Sequence, residues 1–121
     1  MRTITDKQAR HAIEKKEFGA DVVDESKAVV VVLTQDWCPQ WHAMRDWIGR
    51  TCKEADATLF VHEYNRHDHF EEFLRLKEEV WNNREIPYVR IYRAGKLSHH
   101  TNYVSEDRFA ALLKPRHPAR G

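Results

Sequence analysis

The chain has 121 residues, which suits one compact domain with a real hydrophobic core and leaves little room for a second. Twenty basic and nineteen acidic residues leave a formal charge of +1, which excludes the electrostatic footprint of a nucleic-acid or anionic-membrane binder. Two cysteines are too few for a secreted disulfide scaffold, and the N-terminus lacks the apolar stretch of a signal peptide, so a reducing, cytoplasmic setting is expected.

Thr5 followed by Gln8 has the form of a capping box, which predicts a helix carrying Ala9, Ala12, Ile13 and Phe18 and stopping at Gly19. A weak strand candidate, Arg2 to Thr5, precedes it. Residues 20–27 read as a polar connection. Ala28 to Leu33 is a continuous β-branched run, as in a central strand covered on both faces, and it is too short to span a bilayer.

From Cys38 to Ala55 the periodicity predicts a helix with Trp41, Met44, Ile48, Cys52 and Ala55 on its buried face and Trp47 beside them. Pro39 suits its first turn, where no amide hydrogen is needed. Thr58 to Val61 is a second apolar strand. Asp68 to Glu71 offers another capping pattern, followed by a helical stripe of Phe70, Phe73, Leu74, Val80 and Trp81. Lys77-Glu78-Glu79 reads as its solvated face. Pro87 opens a strand over Tyr88 to Tyr92, Arg93 to Lys96 turns, and Leu97 to Val104 returns antiparallel. Ser105 caps a last helix carrying Phe109, Leu112 and Leu113, which Pro115 ends. The expected division is one domain over residues 1–114 and a disordered tail at 115–121. Alternating strands and helices with a late hairpin imply an α/β fold, a mixed central sheet flanked by helices.

The chemistry gathers at Trp37-Cys38-Pro39-Gln40-Trp41, directly after the buried strand. The first turn of a helix presents unpaired N–H groups and the positive end of the dipole, both of which favour a thiolate. His42 lies one turn on and would adjust the thiolate fraction when protonated; Arg45, a further turn along, is a weaker candidate. Cys52 is fourteen residues along the same helix, about 21 Å away, whereas a disulfide needs Cα atoms within about 7 Å. It reads as packing.

The strand leading into Trp37-Cys38, the helix after it, Ile86-Pro87 before the next strand and the turn at Gly95 together resemble the thioredoxin family over residues 28 to 114. The resemblance implies a thioredoxin-like fold and a cis bond before Pro87, with Ile86 and Pro87 holding an extended substrate backbone beside Cys38. Two departures stand out. Trp41 occupies the position of the second cysteine, and Val32 that of the buried acid. The implied activity is therefore that of a monothiol thiol–disulfide oxidoreductase acting on a protein or peptide thiol or disulfide. Cys38 attacks, Trp37 and Trp41 border the groove, and an external thiol, with glutathione as a possible co-substrate, resolves the product. No bound cofactor is expected.

Two other readings stay open. One is a non-catalytic, chaperone-like binding module using the same groove. The other is a peroxide-sensing thiol, which requires Cys38 to be exposed. Five of the eight histidines (His62, His67, His69, His99 and His100) raise a metal site, but their spacing lacks a recurring ligand pattern, and solvated loop histidines are the expectation.

Overall fold

The structure, a computed structural model, describes residues 1–114. The helix stop expected at Pro115 and the tail 115–121 lie outside the described residues.

Helix α1 (Asp6–Lys15) begins where the capping box predicts. Thr5 Oγ1 accepts from the Gln8 amide at 3.1 Å, and Gln8 Oε1 accepts from the Thr5 amide at 2.9 Å. It stops before Gly19, because Lys16 takes a left-handed conformation with φ 68°. Gly19 instead caps the start of a short helix, α2 (Ala20–Val23), where only a polar connection is expected. Burial of Val22 and Val23 is what orders that turn.

Among the described residues, five strands form one sheet in the order β1-β3-β2-β4-β5. They are β1 (Arg2–Thr3), β2 (Ala28–Thr34), β3 (Ala57–Glu63), β4 (Tyr88–Arg93) and β5 (Lys96–Thr101). The first three are parallel and the last two antiparallel to their neighbours. β2 lies at the centre and every residue of it is buried, which is why its sequence does not alternate. Strand β5 ends at Thr101, short of the Val104 predicted, and its register with β4 shifts at a bulge between Ile91 and Tyr92.

Successive residues of the inner strands feed two cores. Val29, Val31 and Leu33 face α1, α2 and α4 (Phe70–Arg75), with Phe18 and Phe73 beneath them. Val30 and Val32 face α3 (Pro39–Glu54) and α5 (Glu106–Leu113). Trp41, Met44, Ile48 and Cys52 are buried on α3 as the periodicity predicts, but Ala55 is its exposed C-cap.

The stretch after Glu63 departs most from the pattern. A 3-10 turn (Tyr64–Arg66) leads to α4, whose N-cap is His69 with no side-chain capping bond, so Asp68 does not cap it. At Leu76–Val80 the helix widens into a π-turn, the Trp81 amide reaching back to the Leu76 carbonyl at 2.9 Å. The extra residue rotates the following side chains out of the 3.6-residue phase. Val80, expected inside, is 47% exposed, and Lys77, expected in solvent, is fully buried. Arg90 on β4 is buried as well, bonding Glu17 at 2.7 Å and both Tyr88 and Tyr92 hydroxyls, with Trp81 stacked 4.0 Å from its guanidinium. Each of its three nitrogens finds a partner because α1's exit and β4 converge there, while the π-turn supplies the stacked ring.

Candidate functional site

Cys38 is the N-cap of α3, and its backbone carbonyl accepts the first helical bond, from the His42 amide at 3.1 Å. Its side chain does not use that position as expected. Sγ makes no bond to the first-turn amides; it turns toward the neighbouring loop and donates to the Ile86 carbonyl at 3.7 Å. Only 3% of the residue is exposed. The exposed thiol that the peroxide-sensor reading requires is therefore absent from this conformation.

Ile86-Pro87 is a cis peptide bond, and the Ile86 carbonyl in this loop before β4 lies against Cys38. Ile86 itself packs against both cores. A set of amides that local sequence patterns do not signal holds this loop. Asn102, between β5 and α5, donates to the Pro87 carbonyl at 3.0 Å and to Asn83 Oδ1 at 2.9 Å, and Asn83 returns a bond to Asn102 Oδ1 at 3.0 Å. From below, Lys77 Nζ donates to the Asn83 carbonyl at 2.8 Å, while the Asn83 amide reaches the Lys77 carbonyl at 3.0 Å. Burial pushes the Lys77 amine down to about 8.

The two tryptophans separate. Trp37 is 61% exposed, its indole N–H donating to Gln35 Oε1 at 2.7 Å. It is free to border a groove. Trp41 is buried to 1% in the α3 core and donates to Glu63 Oε2 at 3.2 Å. Its edge closes a cavity of about 370 Å³ lined also by Thr3, Arg45, Glu63, Arg66 and His67. Trp41 is thus a core residue, not the rim of a groove. His42 does not turn to the sulfur either: Nε2 lies 2.6 Å from the Asp36 carbonyl. Asp36 is braced in turn by Asn65, which accepts its amide at 3.0 Å and donates to its carboxylate at 2.8 Å.

Cys52 is 1% exposed, and burial pushes its thiol up to about 12. Both cysteines are free, and the unbroken helix between them keeps them apart. Val32, at the position of the expected acid, is fully buried in the same apolar cluster as Cys38.

The histidines correct the sequence reading. His62 and His69 are fully buried, not solvated, with their Nε2 atoms 2.9 Å apart, and His69 Nδ1 lies 2.9 Å from Asp6 Oδ1. His67 stacks on His69 with ring centroids 4.9 Å apart. Among the described residues no group of three His, Cys, Asp or Glu side chains is arranged to hold a metal ion. No helix there is long and apolar enough to cross a membrane.

No protein-family model and no curated protein sequence matches the chain. Solved structures do. Thioredoxin O1 from Arabidopsis thaliana in its oxidised state aligns with a TM-score of 0.66 at 13% identity, covering 93% of each chain. A thioredoxin from Fasciola hepatica aligns at 0.64 and 13% identity, over 93% of this chain and 96% of that one. A mutant thioredoxin from Halobacterium salinarum gives 0.62 and 15%, covering 77% of each. The fold is therefore a thioredoxin fold, a five-stranded mixed α/β sheet with flanking helices.

Proposed function

We propose that this thioredoxin-fold chain carries out monothiol thiol–disulfide exchange through Cys38. The reading rests on one juxtaposition: a cysteine at the N-cap of α3, with its sulfur against the carbonyl that precedes cis-Pro87. The Cys38 thiolate attacks one sulfur of a protein or peptide disulfide, forming a mixed disulfide and expelling the other sulfur as thiolate. An external thiol, of which glutathione is the most abundant class in a reducing cytoplasm, then attacks the substrate sulfur and releases Cys38. The chain itself ends each cycle with the oxidation state it began with. An extended substrate backbone lies along Ile86 and Pro87, with Trp37 covering one side. Because the sulfur is occupied and covered, the Ile86 carbonyl must move aside before attack.

A second reading, a non-covalent peptide-binding module, is favoured by the burial of Cys38 and by Trp41 and Val32 standing where a thiol and an acid would serve a dithiol cycle. The alkylation rate of Cys38 against pH, in a Cys52→Ala background, separates the two. A midpoint well below the free-thiol reference of about 8.5 supports exchange chemistry. A midpoint at or above it, with slow alkylation and partner binding retained by Cys38→Ser, supports the binding module.

A further inference from the structure

Three imidazoles meet at one junction away from the thiol. His62 comes from β3, His69 from the start of α4 and His67 from the turn between them, with ring centroids 4.7 to 5.1 Å apart. The contact between His62 Nε2 and His69 Nε2, at 2.9 Å, has room for one proton and no more. His69 spends its other nitrogen on Asp6, and His62 Nδ1 is buried with no partner at all. The charged groups around the junction are few. Helix α1 supplies Asp6 and Arg10, the connecting turn Arg66 and Asp68, and α4 Glu72; the remaining walls include the rings of Tyr64 and Phe73. Asp6 is the carboxylate bonded into the closed cluster, and Asp68, beside His67, is a second that favours a proton there. Opened to water, each ring takes a proton independently.

The chain between His62 and His69 is also the brace of the candidate site. Glu63 holds the Trp41 indole, Tyr64 accepts from Gln35 at 3.4 Å, and Asn65 bonds Asp36 twice. We propose that the His62–His67–His69 cluster is a proton-linked latch: as the surroundings acidify, proton uptake opens the segment from His62 to Phe70 and frees the loop Gln35–Cys38 that it braces. The latch regulates the same site, and only its consequence for chemistry rests on Cys38 being the working thiol. Burial, with the neighbouring imidazoles adding to it, pushes His62 down to about 3, which supports the direction.

Hydrogen exchange of the full chain, read by mass spectrometry at pH 7.0 and 5.5 and corrected for the intrinsic rate, tests this. A ring that titrates near 6.5 when open and stays neutral when closed raises the opening equilibrium about eightfold over that interval. Wild type is expected to show at least that rise in both the 62–70 and 35–38 segments. His62→Phe, an aromatic that suits the same apolar walls, is expected to lose the His62 share. Asp6→Asn, exposed at the start of α1, removes the carboxylate bonded to His69, which favours protons inside the closed cluster more than Asp68 does; its rise is expected to be at least as steep as wild type. An equal rise in His62→Phe, a flatter one in Asp6→Asn, or opening of 62–70 with unchanged protection at 35–38 overturns the latch. Cys38→Ser is expected to reproduce the wild-type pattern. Slow alkylation of Cys38 beside an intact exchange response would sink the thiol reading alone, and fast alkylation without a pH response would sink the latch alone.

Discussion

Placing a thiol where the dithiol family keeps its second one is the most direct probe of why Trp41 is there. In Trp41→Cys the two sulfur-bearing residues stand three apart across the first turn of α3, a separation whose Cα distance of about 5 to 5.5 Å suits a disulfide. The substitution also empties the α3 core of its largest side chain, 1% exposed, and frees Glu63 Oε2 to hydrate. Large-to-small replacement of a buried Phe or Trp costs about 3 to 5 kcal/mol; a cysteine refills a little of the space, which sets the loss near 3 kcal/mol. Closing so short a loop returns only about 2 kcal/mol on oxidation. Urea unfolding under reducing and oxidising conditions, followed by circular dichroism, reads both numbers. The reduced variant is expected to unfold about 3 kcal/mol below wild type and the oxidised one to recover part of that. A reduced variant within 1 kcal/mol of wild type would refute the claim that Trp41 is a packing residue.

Other consequences can be measured in the same way. His62 binds protons less readily folded than unfolded, so the stability it allows is complete above about pH 6.5 and drains away as the pH falls toward 3. Between pH 7.5 and 4.5 the loss is about 2 to 3 kcal/mol, and urea titrations of His62→Phe should lack that share. Lys77 is depressed too, so in the window from about pH 8 to 9.5 wild type should gain stability as pH rises; Lys77→Met should show a flatter slope in the same titrations. Asn102→Ala removes the bonds to Pro87 and Asn83 and should cost about 1 to 2 kcal/mol. In the Cys52→Ala background it should also speed Cys38 alkylation severalfold, because the Ile86 carbonyl is no longer held over the sulfur.

The fold was legible wherever one residue period ran unbroken. Ala28 to Leu33 announces a strand buried on both faces, and Thr5 with Gln8 announces the start of α1. Reading failed where the period itself changed. The π-turn at Leu76–Val80 exchanged the fates of Lys77 and Val80, and no composition signal marks the extra residue. Cys38 and Pro87 could be singled out because each punctuates an element. The direction of the Cys38 sulfur could not, since its partner, the Ile86 carbonyl, lies 48 residues away. His62, His69 and Asp6 share no local pattern; only packing α1 and α4 on one face of the sheet brings them together. Asn83 and Asn102 look like turn residues, and that is what they are locally. Their pairing is a property of the folded sheet.

The four tryptophans sit in four unlike surroundings, which makes the chain a carrier of its own optical probes. Trp37 stands in water beside Cys38, Trp41 is sealed in the α3 core, Trp47 leans on Phe109 across the α3–α5 contact, and Trp81 lies under the Arg90 guanidinium at the foot of the π-turn. Solvent polarity, a quenching ion and a nearby cation each act on a different indole. Fluorescence from variants retaining one tryptophan apiece would therefore time the thiol loop, the helix pair and the π-turn as separate clocks within a single unfolding or docking event.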